Sequence, residues 1–480
     1  MTIKLYNTLA KAKEELKTVE TGKVKMYVCG PTTYNYIHLG NARPIVVFDT
    51  IRQFLRYKGY QVTYVQNFTD IDDKIINRAN EEQVDPLVLA QKYIEEYFVD
   101  ADALKVQRAD IHPRVSDHLP EIIETIQTLI DNNYAYELDG DVYYHISQFS
   151  QYGKLSGRTI EEMQAGARID VNQNKKHPMD FVLWKRAKPG EPAWNSPWGK
   201  GRPGWHIECS AMAIKYLGEQ FDIHGGGYDL VFPHHENEIA QSEAYTGKPF
   251  ANYWLHNGFI TVNQEKMSKS LGNFFLVREI LEKYDPEVVR YYLLATHYRS
   301  PLDFDDQKLE SSTKSYQRIV NTVERVTEQV AVANEGEAGG KLGGELTGKV
   351  DLALEQFDQA MSDDFNTALG FAAIFDLVRE TNQYLKQCQE GEEQIAGDCL
   401  KKVLEAFGVF GKVLGLSFDI KQDKGNNDEL TEKLLDLLLD LRKETRQKKD
   451  FQTADSIRER LKELGILIED TPQGARWKWQ

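Results

Sequence analysis

The sequence predicts an α/β protein: a Rossmann-type parallel-sheet domain with an insertion, then an all-helical region and a small C-terminal domain. Three observations support this. Strand-length apolar runs alternate with helical patterns near the N-terminus. A polar stretch rich in Pro, Gly and Trp interrupts that alternation, and nearly every segment after residue 306 has helical spacing. At about 150 residues a domain, 480 residues predict roughly three domains.

The first strand–helix–strand unit lies between residues 24 and 65. Val24 to Cys29 is a short apolar run that ends at a Gly-Pro turn, which is typical of a strand. Apolar residues then recur at three- and four-residue spacing from Pro44 to Tyr57, which predicts a helix. Val62 to Val65 is β-branched and aromatic and predicts a second strand. In a parallel sheet, Cys29 and Thr69 would both lie at the carboxyl ends of strands, where ligands bind.

The next segments favour a helix and then an inserted subdomain. Thr69-x-x-Asp72 resembles a capping pattern and predicts that a helix starts there. The alternation stops from about 110 to 199, where Asp139-Gly140 predicts a hairpin turn. Residues 201–300 return to the α/β pattern. The insertion therefore divides the nucleotide-binding fold into two halves.

The chain after residue 306 is predicted to be helical with two breaks. One amphipathic helix is expected over 307–332, and a Gly- and Glu-rich loop over 334–348. Further helices follow over 350–414, with Asp363 or Asp364 as a cap. A polar break at 421–428 precedes the last unit. The predicted domains are 1–305 with the insertion at about 110–199, then 306–420, then 428–480.

Composition narrows the class of protein. The chain is 41% hydrophobic and 28% charged, and no apolar run approaches the ~20 residues of a membrane span. Its net charge of −16 argues against indiscriminate nucleic-acid binding. The N-terminus does not have the pattern of a signal peptide, so we expect a cytoplasmic protein. Four cysteines favour reduced thiols over a disulfide framework.

A basic cluster near the C-terminus has two interpretations. It is either a local surface for RNA or a solvated helix face with ion pairs at i,i+4 spacing, and charge alone favours the second. Its residues are Arg442, Lys443, Arg446, Lys448, Lys449, Arg458, Arg460 and Lys462.

Two short motifs carry nucleotide chemistry. His38-Leu-Gly-Asn41 would place an imidazole near a helix start, where a triphosphate can bind. Lys266-Met-Ser-Lys269-Ser would place two ammonium groups where they can neutralise departing pyrophosphate. In this order, the pair resembles the HIGH and KMSKS signatures of class I aminoacyl-tRNA synthetases. One position departs from the pattern: Asn41 replaces a histidine, so it can donate a hydrogen bond but cannot carry charge.

Further strings narrow the resemblance to the cysteinyl-tRNA synthetase family, from about Leu5 to the C-terminus. They are Cys29-Gly-Pro-Thr, Asn67-Phe-Thr-Asp-Ile-Asp-Asp-Lys74, Gly204-Trp-His-Ile-Glu-Cys209 and Phe232-Pro-His-His-Glu-Asn-Glu238. The resemblance implies a ligase that activates L-cysteine with ATP and transfers it to the 3′-terminal adenosine of tRNA(Cys). It implies Mg²⁺ accompanying ATP, a monomer, and catalytic or ATP-binding roles for His38, Asn41, Lys266 and Lys269. Thr69, Trp205 and Asp229 would line the amino-acid pocket.

The resemblance also implies one zinc ion held by Cys29, Cys209, His234 and Glu238. The residue types suit zinc, and His234 and Glu238 would share a helix face. Zinc would distinguish cysteine from serine, because a thiolate binds it far better than a hydroxyl does. Without the resemblance, isolated cysteines are more often buried small hydrophobes. The adjacent His235 is expected to point about 100° away from His234.

The helical region over 306–420 resembles the family's stem-contact domain, and the C-terminal segment over 428–480 resembles its anticodon reader. Arg446, Asp455 and Asp470 would contact base edges, and Trp477 would stack on a base. The alternative is that these are helix-surface charges and a small-core aromatic.

Two other functions compete with the synthetase. One is a cysteine ligase with the same adenylation core and a small amine acceptor. The other is a non-catalytic tRNA- or zinc-binding protein on the same scaffold. The C-terminal region opposes the first, and the intact motifs oppose the second.

Overall fold

The computed structural model describes residues 2–160, 162, 174–262, 265–266, 274–332, 340–391, 393–418, 424–448, 450–463, 466–471 and 474–479. The chain folds as two units, Met1–Asp419 and Ile420–Gln480. Lys269 lies outside the described residues, and only the backbone of Lys266 is described. No helix in the described ranges is long and apolar enough to cross a membrane.

A parallel four-stranded sheet forms the centre of the first unit. Its strand order is Ala251–Asn257, Phe221–Gly227, Lys23–Val28 and Gln61–Gln66. All three pairings are parallel, which confirms the predicted Rossmann-type sheet. After Lys23–Val28, the chain continues to the edge strand Gln61–Gln66. It later returns to Phe221–Gly227, which lies on the other side of Lys23–Val28. This reversal creates a crevice at the carboxyl ends of the two central strands, where open α/β sheets bind ligands.

The helix after the first strand spans Leu39–Tyr57, five residues longer than predicted at its start. His38 has extended backbone (φ −103°, ψ 170°) and precedes the helix, and its N–H donates to Asn41 Oδ1 at 3.2 Å. Pro44 lies inside the helix rather than at its start. It removes only the hydrogen bond to the carbonyl of Gly40, so the helix tolerates it.

The next helix, Asp73–Glu82, begins later than the predicted cap. Asp72 caps it, because its side chain accepts from the Lys74 N–H at 2.8 Å. Thr69 instead donates its hydroxyl to Glu208 Oε2 at 2.9 Å. The helix Pro86–Ala103 follows.

The insertion contains the helix Leu119–Asp131 and an antiparallel sheet. The predicted hairpin is confirmed: Asp139 and Gly140 have φ of 55° and 87° at its turn. The strands of this sheet, in order, are Ala135–Leu138, Asp141–Tyr144, Phe181–Arg186 and Gly201–Pro203.

The second half of the nucleotide-binding fold returns to the parallel sheet. Its helices are Trp205–Leu217, Glu236–Thr246, Val277–Leu281 and Pro286–Leu294. A small sheet joins Glu265–Lys266, Ile260–Val262 and Leu302–Phe304, and a hairpin of Lys4–Asn7 with Ala12–Glu15 lies near the N-terminus.

Four helices complete the first unit: Asp306–Val332, Lys341–Ser362, Thr367–Gln389 and Gly397–Leu414. The first confirms the predicted amphipathic helix. The predicted loop over 334–348 is wrong from Lys341 onward, because tertiary packing outweighs the low helix propensity of its glycines. Gly343 packs closely there, since a Cβ would lie 3.4 Å from Ala396.

The predicted cap at Asp363 or Asp364 is also wrong, because Asn366 caps the helix through a bond from the Leu369 N–H. Asp364 is buried and accepts from the Tyr6 N–H and the Tyr298 hydroxyl, both at 2.8 Å. It therefore joins the N-terminal hairpin to the helical region.

The second unit has two helices, Lys424–Gln447 and Phe451–Glu463, and the antiparallel strands Ile466–Thr471 and Gly474–Trp479. Its core includes Leu435, Leu461, Ile466 and Ile468. The predicted polar break is helical from Lys424 onward.

Candidate active site

A cavity of about 310 Å³ occupies the crevice at the carboxyl ends of the two central strands. The loop after the first strand forms one wall, and the segments after the third and fourth strands form the other. Lining residues include Cys29, Tyr34, Tyr36, His38, Gly40, Asn41, Gln66, Lys74, Trp205, Asp229, Asn257 and Phe259. The predicted nucleotide and amino-acid residues that line it are thus His38, Asn41, Trp205 and Asp229.

The cavity lies beside the first turn of the helix Leu39–Tyr57. Backbone N–H groups in a first turn have no helical partner, so this end of the helix favours an anion. Asn41 accepts from the His38 N–H through its side-chain oxygen. The other end of the amide, Nδ2, can donate only. Asn41 can therefore donate a hydrogen bond to an anion from Nδ2, although it cannot carry the charge that a histidine could.

The chain on both sides of the lysine motif is tied to this helix start. After the motif, the Leu39 N–H donates to the carbonyl of Phe275 at 3.0 Å, and the Val277 N–H donates to that of Ile37 at 3.1 Å. At the start of the motif, the backbone of Lys266 pairs with that of Thr261 in the small sheet. The segment that follows the motif therefore lies beside the helix start, and Lys269 itself lies outside the described residues.

Arg278 fixes the exit from the lysine motif. Its guanidinium carbon lies 3.5 Å from the centroid of the Tyr36 ring, which lines the cavity. It also donates to Glu96 at 2.8 Å and to Asp100 at 3.2 Å. One side chain thus holds the cavity wall against the helix Pro86–Ala103.

Arg43 fixes the opposite wall from inside the first helix. Its buried guanidinium donates to four backbone carbonyls, at 2.8 Å (Gly258), 3.0 Å (Phe259), 3.3 Å (His297) and 2.6 Å (Ser300). Burial lowers the pKa of Arg43 to about 10, so the side chain stays protonated at neutral pH.

Cys29, Cys209, His234 and Glu238 meet beside this cavity. Cys29 Sγ lies 3.7 Å from Cys209 Sγ, 3.5 Å from His234 Nε2 and 3.4 Å from Glu238 Oε1. His234 Nε2 lies 3.0 Å from Glu238 Oε1. All four ligand atoms lie within 4.8 Å of one another, so they could hold one metal ion.

These distances fit a tetrahedral zinc site. Zinc–ligand bonds of about 2.0–2.3 Å give tetrahedron edges of about 3.8 Å for two sulfurs and about 3.6 Å for sulfur with nitrogen or oxygen. The three distances from Cys29, at 3.7, 3.5 and 3.4 Å, are within about 0.2 Å of these values. The sulfur-rich ligand set also favours zinc over magnesium or calcium.

Electrostatics in the cluster favour the ionised forms of Glu238 and Cys209 but not of Cys29, because burial raises the pKa of the Cys29 thiol well above its usual range. Burial opposes the charge on Glu238, but His224 and His234 outweigh it and lower its pKa to about 2. Burial likewise raises the pKa of the Cys209 thiol, while hydrogen bonding from Cys29 and His234 lowers it to about 6. A carboxylate and a thiolate are therefore present near neutral pH, as zinc binding requires.

His235 does not point away from the cluster as predicted. Its Nε2 lies 3.4 Å from Cys29 Sγ, and it offers a second candidate ligand set with Cys29, His224 and Glu238. The segment Val231–His235 is not a regular helix, because Phe232 is extended (φ −142°, ψ 132°), so regular helical spacing does not apply. One contact favours the set with His234: in the second set, His224 already bonds through Nε2 to Glu238 Oε2 at 2.8 Å.

Surrounding histidines hold the ligands in place. His206 Nδ1 lies 2.9 Å from His234 Nδ1, which leaves His234 Nε2 facing the cluster. Burial lowers the pKa of His206 well below its usual range, and the same holds for His235. Two neutral imidazoles, His206 and His235, thus lie beside the cluster.

Two of the three residues predicted for the amino-acid pocket, Trp205 and Asp229, line the cavity. The Trp205 ring lies 4.3 Å from the ring of His234 and is 40% exposed at the cavity, so it joins the metal cluster to the cavity. Asp229 is exposed at the cavity wall. Thr69 is buried, and its hydroxyl is used by Glu208, whose pKa burial raises well above its usual range.

The predicted anticodon residues lie in the second unit. Arg446 and Asp455 are exposed on its two helices. Asp470 and Trp477 lie on paired strands, and their own side chains are not described. Not every residue of the basic cluster is exposed. Arg442 is buried, and Lys448 lies 3.8 Å from Glu444 at i,i+4 spacing, as the ion-pair interpretation expects.

Several residues of the site were missed by sequence analysis. Tyr34, Tyr36 and Lys74 line the cavity, and Arg43 and Arg278 hold its walls. They lie within or beside the motifs, but side-chain direction cannot be obtained from the motifs alone.

Comparisons with known proteins agree with this geometry. The model described as the class I (C) tRNA synthetase catalytic domain matches residues 15–314. The DALR domain model matches 356–419, and the cysteinyl-tRNA ligase anticodon-binding domain model matches 427–477.

Whole-chain relatives and solved structures extend these matches. The chain is 59% identical to a cysteine–tRNA ligase of Desulforamulus reducens, with 100% of both chains covered. It is 58% identical to that of Carboxydothermus hydrogenoformans, with 99% of this chain and 100% of the relative covered. A methionyl-tRNA synthetase from Mycobacterium tuberculosis bound by methionyl-adenylate has the same fold: TM-score 0.64, 16% identity, 82% of this chain and 92% of that one.

Proposed function

Because the chain belongs to the cysteinyl-tRNA synthetase family, we propose that it joins L-cysteine to tRNA(Cys) at the expense of ATP. The observation that carries the proposal is the meeting of a sulfur-rich metal cluster and a helix start at one cavity. The cluster suits a thiol substrate, and the helix start suits a triphosphate. Both substrates of the first step then share one space.

In the first step, the carboxylate of cysteine attacks the α-phosphate of ATP, and pyrophosphate leaves. Protein groups contribute by positioning and by stabilising charge. His38 and Asn41 contact the triphosphate, and Asn41 donates from Nδ2, which its contact with His38 leaves facing away. Lys266 and Lys269 neutralise the phosphates that depart. Mg²⁺ enters with ATP rather than in a protein cage.

The cysteine substrate lies between the metal cluster and the exposed carboxylate of Asp229. Cys29, Cys209, His234 and Glu238 would hold one zinc ion, which supplies a soft Lewis acid that prefers a thiolate to a hydroxyl. Asp229 pairs with the substrate ammonium, and Trp205 covers the pocket between them. Thr69 acts through Glu208 rather than on the substrate.

In the second step, the cysteinyl group passes to the 3′-terminal adenosine of the tRNA. Arg446, Asp455, Asp470 and Trp477 read the anticodon in this proposal, and the match of residues 427–477 to an anticodon-binding domain supports it. That match disfavours the ligase with a small amine acceptor, which would have no anticodon to read. We further propose domains at 1–305, 306–420 and 428–480, a monomer, and the cytoplasm as its compartment.

The direct test is aminoacylation of purified tRNA(Cys) with labelled cysteine, compared with labelled serine. We expect charging with cysteine and at least 10⁴-fold less with serine, roughly the discrimination reached when a site binds one specific group of its substrate. Formation of cysteinyl-adenylate without any charged tRNA would support the small-acceptor ligase instead.

A second test addresses the metal. Elemental analysis should find about one zinc per chain. Cys209→Ser should lose most of it, whereas Cys399→Ser, a buried cysteine outside the cluster, should keep it. A full zinc load in Cys209→Ser would remove Cys209 from the ligand set.

A further inference from the structure

Lys74 is the one lysine or arginine among the described residues that line the cavity of the candidate active site. It ends the string Asn67-Phe-Thr-Asp-Ile-Asp-Asp-Lys74, and the proposed function gives this string an indirect role through Thr69 and none through Lys74. The Lys74 side chain is exposed, so it lies at the rim of the cavity rather than in its buried interior. A cation at this rim requires an explanation.

The two acidic residues before Lys74 do not neutralise its ammonium group. Asp73 faces the inserted subdomain, where it pairs with Lys185 at 2.9 Å and with Arg202. Asp72 accepts a hydrogen bond from the backbone N–H of Lys74 at 2.8 Å and not from the ammonium. Within the part of the chain that the structure describes, no carboxylate forms an ion pair with Lys74. Its positive charge therefore stays available to a ligand.

A tyrosine ring holds the Lys74 side chain without removing its charge. Lys74 Nζ lies 5.6 Å from the centroid of Tyr34, which also lines the cavity. This distance is typical of a cation–π contact. Lys74 is the second residue of the helix Asp73–Glu82, and the helix dipole disfavours a cation at that end. Helix stability therefore does not account for a lysine at this position.

Lys74 is anchored to a different part of the molecule from the predicted triphosphate site. That site lies at the start of the helix Leu39–Tyr57, beside the segment that follows the lysine motif. Lys74 instead follows Asp73, whose partners lie on the strands Phe181–Arg186 and Gly201–Pro203 of the insertion. It thus lies on the side of the cavity that faces the insertion. ATP and cysteine fill the interior in the first step, so the end of the tRNA has to enter over the rim.

We propose that Lys74 binds a backbone phosphate near the 3′ end of the tRNA and thereby holds the terminal adenosine beside the cysteinyl-adenylate. A lysine suits this role, because its ammonium is a compact point charge that binds phosphate oxygens. A phosphate contact positions the nucleic acid without reading its sequence. Lys74 would then act in the second step and take no part in the first. This inference rests on the proposed function, because it names a contact with that function's own acceptor.

The test compares Lys74→Met with the wild type in each step separately. Methionine is an unbranched side chain without charge. Transfer of cysteine from preformed cysteinyl-adenylate to tRNA(Cys), measured in a single turnover, should slow about tenfold, the lower end for a hydrogen bond to a charged group. Cysteine-dependent ATP–pyrophosphate exchange should stay at the wild-type rate, which also shows that the variant folds. Unchanged transfer would overturn the proposal, and so would an equal loss in exchange, which would place the ammonium on ATP.

Neutral phosphates identify the partner of the ammonium. Each phosphodiester near the 3′ end of the tRNA is replaced in turn by an uncharged methylphosphonate. At one position, the replacement should slow transfer by the wild type about tenfold and slow transfer by Lys74→Met no further, because the contact is already lost. Equal losses in the two proteins at every position would assign Lys74 a structural role and overturn the proposal.

Lys92→Met is the matched control for the loss of one lysine charge. Lys92 is also exposed, and its Nζ lies 5.2 Å from the centroid of Tyr93, but it does not line the cavity. Transfer at the wild-type rate is expected in this variant, and equal slowing would overturn the specific role of Lys74. Lys74→Arg keeps the charge and should recover most of the lost rate. A wild-type protein that makes cysteinyl-adenylate but never charges tRNA would instead contradict the proposed function.

Discussion

Replacement of His224 by leucine should weaken zinc binding, although His224 is not a proposed ligand. His224 is fully buried, and its Nε2 lies 2.8 Å from Glu238 Oε2. A carboxylate can only accept, so His224 donates this hydrogen bond. The other oxygen, Glu238 Oε1, is then the one that faces Cys29 and His234. His224 thereby selects which oxygen of Glu238 is presented to the metal.

The size of the effect follows from the different partners of the two Glu238 oxygens. Loss of the donor leaves Glu238 Oε2 buried and removes the contact that holds the carboxylate plane. Contacts of this kind around metal ligands change affinity by about 10- to 100-fold, or roughly 1.4 to 2.7 kcal/mol. Because His224 also helps to lower the pKa of Glu238 to about 2, the loss should be larger at acidic pH. His224→Gln retains an amide donor and should lose less.

The assay is competition for zinc with a chelator of known affinity, with zinc content measured by elemental analysis. His118→Leu is the matched control, since His118 is also buried and bonds to Tyr216 at 2.8 Å and to Arg114 at 2.6 Å, away from the cluster. Zinc affinity equal to that of the wild type in His224→Leu would refute the reasoning. An equal loss in His118→Leu would assign the effect to general destabilisation.

Three other predictions concern activity and stability. Lys269→Ala should slow cysteine-dependent ATP–pyrophosphate exchange by ~10²–10³ without loss of zinc, because one positioned donor is removed. Asp49→Ala should reduce the free energy of unfolding by about 3–5 kcal/mol in urea titrations, because Asp49 pairs with the buried Arg52 and Arg290. Burial lowers the pKa of His112 to about 4 from 6.5, so about 3 kcal/mol of stability is present above pH 6.5 and is lost as the pH falls to 4. His112→Asn should flatten that part of the curve of stability against pH.

Much of the fold could be predicted because each element has a local signal. The parallel strands, the Asp139-Gly140 hairpin and the long helix after residue 306 depend on hydrophobic period and turn chemistry, both of which are visible in the sequence. The errors occurred where tertiary contacts prevail. Residues 341–348 are helical despite three glycines, because Gly343 fits against Ala396.

The residue types of the candidate site could be predicted from the sequence, but the directions of its side chains could not. The motifs supplied Cys29, Cys209, His234 and Glu238, and the structure brings their ligand atoms together. The convergence of His235 on Cys29 could not be predicted, since Phe232 interrupts the helix that the spacing assumed. Thr69 was assigned to the amino-acid pocket from the family resemblance, and its hydrogen bond to Glu208 could not be predicted because the two residues are 139 positions apart in the chain.

The four carbonyls bound by Arg43 have a consequence for how the molecule opens. Gly258 and Phe259 line the cavity between two strands, and His297 and Ser300 belong to a different segment, yet one guanidinium binds a carbonyl of each. A local fluctuation that releases only one of these segments would leave the buried guanidinium of Arg43 with N–H donors that have no acceptor. The helix Leu39–Tyr57 and the two segments that Arg43 binds should therefore behave as one cooperative unit. In native-state hydrogen exchange, amides on both sides of the cavity should become accessible together, with a single opening free energy.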